Sequence, residues 1–491
     1  MKVALVLCPA WSREMPHLAI ALLSASLKKN GHQVYNFDLN NDFYHGCSEK
    51  YKTKWRKEED SFWTDPAFVS EFLSEHRDLI DRTVLKILST DSQLIGFSVY
   101  FPNEIVSLVL ARRIKEIDKR RVIVFGGFQC LRELKAESFI KDSNVDIVVV
   151  GEGDETILEL AQKLEKNGRV DYCRGALLKK EGSFIDCGDR APVMELDSLA
   201  FADFGDFTPA SYEIPSVLPF LSSRGCFQRC VYCTVNSFWK KYRSMTADRI
   251  FREMKYQLNK SNGINSFFLY DPLLNGNVKE LSRLCDLIID DTTKGLMTSF
   301  TWCGEGIIRK EMSPELLMKM KQAGCTFLSY GIESGSQRVL DKMRKNLSIS
   351  DAETVIRSTH DAGIFISLNF MFGFPTETED DFQQTMDFIK RNRKYIDKVL
   401  PSESFCYIDR GTYLYEHAEE FGVLPKPNSS FWESADGKNN YPERLRRFEA
   451  FCELVYSLGI EIGVSRDKVK IFRDGSLKNY DAYKKMEQKT K

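Results

Sequence analysis

The sequence predicts an α/β protein: an N-terminal doubly wound, flavodoxin-like layer, a partial (β/α)6 barrel of the TIM type, and a helical C-terminal region. Three observations carry this. Over residues 1–170, short apolar runs alternate with helix-period stretches, the rhythm of a parallel sheet covered on both faces. The rhythm breaks over 171–215, where Gly175, Gly182, Gly188, Pro192 and Pro209 punctuate short apolar pieces, and it resumes over 216–410. A chain of 491 residues also exceeds one ordinary core, so two or three domains are expected.

The first layer is predicted to begin with a strand at Val3–Cys8 and a helix from Pro16 to Asn30, closed by Gly31. Gln33–Asp38, Gln93–Val99, Arg121–Phe125 and Asp146–Val150 complete five parallel strands, with helices at Glu104–Ile117 and Glu155–Lys166. The segment Asn40–Thr90 is too long for a simple crossover and reads as a helical insertion. Residues 171–215 suit a connector with a small hairpin. Six barrel strands are expected at Val217–Ser222, Ser266–Tyr270, Thr298–Trp302, Thr326–Tyr330, Ile364–Met371 and Lys398–Tyr407. Helices such as Thr246–Leu258, Pro314–Ala323 and Glu379–Arg391 lie between them, and chemistry is expected at the C-terminal strand ends. Residues 411–491 read as helical and carry no chemical motif.

Composition narrows the function. The chain has 43% hydrophobic and 28% charged residues, and 69 basic against 70 acidic residues leave a net charge of −1. That balance supplies no electrostatic reason for a nucleic-acid or anionic-membrane partner. The apolar N-terminus is broken by Pro9, Trp11, Arg13, Glu14 and Pro16, too early for a signal peptide, and no long uncharged run follows. A cytoplasmic protein without a transmembrane segment is expected. Thirteen cysteines then argue for thiols or metal ligands rather than a disulfide framework. Ten are isolated and read as small buried hydrophobes.

The other three lie together in SSRGCFQRCVYCTVN, at Cys226, Cys230 and Cys233. Three thiolates on one short loop can hold three irons of a four-iron four-sulfur cubane and leave the fourth iron open to a small chelating ligand. Gly225 permits a tight entry, and Arg224 and Arg229 offset thiolate charge. The spacing also admits a zinc site lacking its fourth ligand, or three unrelated thiols. Four strand-end segments follow: FLYDPLLNGN with Asp271, TWCGEG with Glu305, LSYGIESGS with Glu333 and NFMFGFPTET with Asn369.

Cys-x3-Cys-x-aromatic-Cys after a first barrel strand resembles the radical S-adenosylmethionine superfamily. The resemblance implies a 4Fe-4S cluster on the three cysteines whose open iron takes the amino and carboxylate groups of S-adenosylmethionine. It further implies reductive cleavage to a 5′-deoxyadenosyl radical and an electron donor such as flavodoxin or ferredoxin. Tyr232 would lie against the adenine, Glu333 would contact S-adenosylmethionine and Asn369 would approach its methionyl or ribose part. Asp271, Glu305 and Arg243 are further candidates for this site. Tyr232 also reads as a packed loop aromatic, Arg243 as a structural salt bridge, and a strand-end carboxylate as a solvated or capping group.

A doubly wound domain ahead of such a barrel resembles the cobalamin-binding subgroup of that family. The matching segments are GFSVYFPN, VFGGFQC and VDIVVVGEGDET, with Ser98, Gly126, Gly127 and Gly151 at strand ends where open sheets bind ligands. Taken singly, such glycines read as turn formers. The Asp-x-His-x-x-Gly motif that supplies a cobalt ligand is missing, because His45-Gly46 in DLNNDFYHG has the wrong spacing. The expectation is cobalamin without a protein histidine ligand, with a domain that has lost cobalamin as the alternative.

The resemblance implies methylation of an unactivated carbon by way of cobalamin, on a small-molecule, lipid or peptide substrate that the sequence does not name. A radical rearrangement, cyclisation or oxidation without methyl transfer is the alternative among enzymes. A non-catalytic cobalamin or redox sensor is the alternative of another class.

Overall fold

The computed structural model describes residues 1–261, 263–401, 405–424 and 428–490, and of residues 57, 58, 60, 61 and 487–490 only the backbone. The chain divides into two units: Met1–Phe220 with 238–240 and 256–266, and 221–237 with 241–255 and 267–491.

In the first unit, β1 (Lys2–Leu7), β2 (Gln33–Asp38), β3 (Leu94–Ser98), β4 (Val122–Gly126) and β5 (Ile147–Val149) are parallel and ordered β2-β1-β3-β4-β5. This is the flavodoxin-like order, and it reverses direction between β1 and β3. β3 is buried along its whole length, as a strand with helices on both faces must be. The expected connector hairpin forms as β6 (Ala176–Lys180) and β7 (Ser183–Asp186). It extends this sheet antiparallel at the β5 edge, so the layer runs beyond the five strands read from the sequence. The 40–90 insertion is helical, with Leu39–Gly46, Pro66–Glu75 and Arg77–Ser89 its main helices. Its own aromatic cluster packs it: Trp63 lies 4.6 Å from Trp55 and 5.0 Å from Phe72, ring to ring. The unit's main stretch ends with β8 (Val217–Phe220).

In the second unit, β9 (Ser223–Arg224) pairs antiparallel with β10 (Arg243–Ser244) and closes the base of the cysteine loop. β11 (Ser266–Leu269), β12 (Thr301–Gly306), β13 (Cys325–Glu333), β14 (Phe365–Phe370) and β15 (Lys398–Pro401) then follow in spatial as in chain order. β12 to β15 are mutually parallel. Consecutive parallel strands with intervening helices make the partial barrel. Two strand limits differ from expectation. The third strand starts three residues late and includes Glu305, because Trp302 is its buried anchor and Thr298 precedes it. The sixth ends at Pro401, and 402–404 of the expected Lys398–Tyr407 lie outside the described residues.

The C-terminal region carries helices Tyr441–Ser457 and Arg466–Thr490, and also β16 (Glu461–Ile462), a strand the sequence reading missed, parallel to β15. Phe451 packs 5.0 Å from Phe370 and 4.9 Å from Phe372, so the first of these helices closes the barrel wall.

Candidate functional site

The cysteine loop is held at its base and at its tip. At the base, Gly225 has φ +78°, and a Cβ there would run into the Lys241 carbonyl, so this entry needs glycine. At the tip, the Val231 N–H donates to the Met343 carbonyl at 3.0 Å and the Val231 carbonyl accepts from the Leu414 N–H at 2.8 Å. Asn236 donates to the Gln228 carbonyl at 2.9 Å and steadies the loop from within. Cys226 is buried, and Cys230 and Cys233 are half-buried. Burial raises all three thiols, Cys233 to about 11, while Lys345 pulls each of them down. Among the described residues, no three His, Cys, Asp or Glu side chains converge on a single ion. A cubane takes one thiolate per iron and does not ask them to. The donor set fits three corners of a 4Fe-4S cluster. Of the ten isolated cysteines, all but Cys303 are buried.

Glu333 stands at the C-terminal end of β13 with φ +68°, beside a register shift in its pairing with β14. Its carboxylate folds back over Gly331, where a Cβ would lie 2.5 Å from Oε1. Lys345 Nζ donates to Glu333 Oε1 at 3.2 Å and to the Tyr232 hydroxyl at 3.3 Å. Burial opposes charge on Lys345, but the Glu333 carboxylate and the Cys230 thiol outweigh it and raise its pKa. Burial also pushes the Tyr232 phenol well up, so it stays neutral. Tyr232 and Glu333 thus meet beside the cysteine loop through a lysine that the sequence reading did not single out. Its one sequence signal is MRKN, a basic turn after a short helix.

Asp271 is fully buried after β11. Its Oδ1 accepts from the Ser222 hydroxyl at 2.8 Å, and Oδ2 has no hydrogen-bond partner among the described residues. Burial pushes its carboxyl up to about 6, against the lowering effect of Ser223 and Ser222 beside it. Asn369 is half-buried on β14, opposite Gly331, with the Ser329 hydroxyl 3.4 Å from its Oδ1. Glu305 is exposed on β12. Arg243 is buried in β10, its Nε donating to the Lys241 carbonyl at 3.1 Å, which makes it part of the loop's base.

In the first unit, Ser98 ends β3 beside Gly126 of β4. Gly127 has φ +109°, and a Cβ there would lie 2.8 Å from the Val99 carbonyl oxygen. The close approach that requires this glycine is therefore made by the protein's own backbone. Gly126 is different: a Cβ would meet only Val149, at 3.6 Å. Gly151, φ +79°, follows β5 and faces open space. At the order reversal, Trp11 after β1 stacks on Tyr100 after β3, centroids 4.0 Å apart, with His17 edge-on to both. His45 is occupied elsewhere, its Nε2 lying 2.9 Å from the Ser211 carbonyl.

A three-cysteine loop and a strand-end glutamate on a partial parallel barrel define a class. Residues 220–389 match the family model of the Radical SAM superfamily. Among its relatives is a Pyrococcus horikoshii protein named as an uncharacterized methyltransferase, 24% identical over 347 residues, 70% of this chain and 72% of that one. Another is the anaerobic magnesium-protoporphyrin IX monomethyl ester cyclase of Cereibacter sphaeroides, 24% identical over 390 residues, 77% of this chain but 55% of the cyclase. Among solved structures, the cobalamin-dependent S-adenosylmethionine radical enzyme OxsB, with aqua-cobalamin and S-adenosylmethionine bound, matches with TM-score 0.69 at 16% identity. That match covers 93% of this chain and 66% of OxsB, and it is a likeness of fold. No helix among the described residues is long and apolar enough to cross a membrane.

Proposed function

We propose that this protein cleaves S-adenosylmethionine at a 4Fe-4S cluster held by Cys226, Cys230 and Cys233, and methylates an unactivated carbon with the help of cobalamin. The observation that carries this is the cysteine loop, whose tip is tied to the turn that carries Lys345, the partner of Glu333 and of the loop's own Tyr232. When bound, the cluster and S-adenosylmethionine would supply a 5′-deoxyadenosyl radical, and cobalamin a methyl carrier. The protein's share is binding, orientation and charge. Glu333 accepts hydrogen bonds from bound S-adenosylmethionine, Tyr232 offers a neutral ring to the adenine, and Asn369 lines the adjoining strand. Asp271 and Glu305 add carboxyl groups on neighbouring strands, and Arg243 steadies the loop. Ser98, Gly126 and Gly151 form the strand-end surface for the cobalamin tail, with Gly127 making room for the Val99 backbone beside them, supported by the order reversal at this edge. His45 is engaged with the Ser211 carbonyl, which supports cobalt without a protein histidine ligand. The substrate is a small molecule, lipid or peptide, and the electron comes from a flavodoxin- or ferredoxin-type donor.

The likeness to a cyclase favours one second reading, radical cyclisation without methyl transfer. Anaerobically reconstituted protein tests both. Alanine at Cys226, Cys230 or Cys233 should abolish the cluster's broad absorbance and the formation of 5′-deoxyadenosine, while Cys285→Ala should leave both nearly intact. A triplet variant that retained a full cluster and turnover would defeat the proposal. Isotope from methyl-labelled S-adenosylmethionine should appear in the product, and product without label would put cyclisation first.

A further inference from the structure

Among the described residues, five that are not glycine adopt left-handed backbone: Asp91, Glu333, Arg344, Asn346 and Phe405. Such conformations cost energy and persist where surrounding structure enforces them, often at functional sites. Three of the five surround one ammonium. Lys345 lies between Arg344 (φ +55°) and Asn346 (φ +49°), and it reaches the carboxylate of Glu333. The turn is anchored on both sides: the Met343 carbonyl takes the Val231 N–H, and the Arg344 guanidinium lies 3.9 Å over the Tyr413 ring. The lysine itself is 9% exposed. A long cationic side chain is rarely taken so far out of water without a fixed partner.

We propose that Lys345 is a positioning residue that holds Glu333 and Tyr232 beside the cysteine loop and keeps a positive charge next to the cluster, easing its one-electron reduction. This rests on the reading that the three thiols carry a 4Fe-4S cluster. The cluster takes one electron from an external ferredoxin- or flavodoxin-type donor, and no bond forms or breaks at Lys345. Reduction adds negative charge, so a nearby cation stabilises the reduced state and raises the potential. Burial keeps that effect from being screened by salt.

The test is a redox titration of the reconstituted full chain, followed by electron paramagnetic resonance without S-adenosylmethionine or cobalamin. Lys345→Met should lower the equilibrium constant for reduction by at least about tenfold, which is about 59 mV for a one-electron couple. Lys345→Arg should restore it to within about threefold. Glu333→Gln removes the facing anion and should move the potential the opposite way, and it carries the test if the methionine variant fails to assemble. A Lys345→Met protein with full iron content and an unshifted potential would overturn the assignment, and so would a Glu333→Gln shift in the same direction as Lys345→Met. If the wild type assembles no four-iron cluster, the cofactor reading itself fails and takes this one with it.

Discussion

Asp271 lends itself to a quantitative test, because one oxygen of a fully buried carboxyl is left without a partner. Burial lifts its carboxyl from an ordinary 3.8 to about 6. The unfolded chain therefore ionises it first, and folding stability falls as pH rises from about 4 to about 6, with the whole penalty present above that. About two pH units correspond to roughly 3 kcal/mol. Asp271→Asn removes the titration and keeps an oxygen for the Ser222 hydroxyl. Its amide would then occupy the unpartnered position, at a cost of about 1–3 kcal/mol that is the same at every pH. The net gain at pH 7.5 is consequently small, but the difference between variant and wild type should improve by roughly 3 kcal/mol between pH 4 and pH 7.5. Urea unfolding of the metal-free protein at a series of pH values, followed by tryptophan fluorescence, measures this double difference. Parallel stability curves for the two proteins would mean that burial does not hold the carboxyl protonated.

Three further outcomes follow from the packing. Gly126→Ala meets only Val149 at 3.6 Å, so the variant should fold normally, and weakened binding of hydroxocobalamin, read from corrin absorbance after desalting, would report the cofactor itself; wild-type protein that retains no corrin would remove the methyl carrier. Gly127→Val should instead destabilise the first unit with or without cobalamin, since its side chain meets the Val99 carbonyl. Arg447 is paired with Glu377 at 2.8 Å, both nearly fully buried, so Arg447→Met should cost about 3–5 kcal/mol of stability in chemical unfolding. The loss should shrink in acid, because burial already raises the pKa of Glu377 and a proton can neutralise it.

Several elements were legible because the information for them is local. The five parallel strands of the first unit follow from where apolar runs and helix-period stretches alternate, and the helix Glu104–Ile117 has the limits its sequence implies. The cysteine triplet needs only its spacing, because three thiols on one loop are neighbours whatever the rest of the chain does. Other features are decided by partners far away along the chain. Lys345 meets Tyr232 across 113 positions, and Arg447 meets Glu377 across 70, and no periodicity marks either pair. The 176–186 hairpin reads as a connector until the open β5 edge gives its backbone N–H and C=O groups a ladder to join. Gly127 looks like space for a ligand in sequence and proves to be space for Val99, because only folding brings that carbonyl over it. Asp271 is an ordinary acid in the chain, and its raised pKa arises from the removal of water around it. The sequence by itself determined which elements form, in what order, and which thiols stand together, since these depend on covalent neighbours. Which charges are buried, what they face and which glycines are obligatory was decided only by the tertiary structure, because desolvation and close approach exist only once distant segments pack.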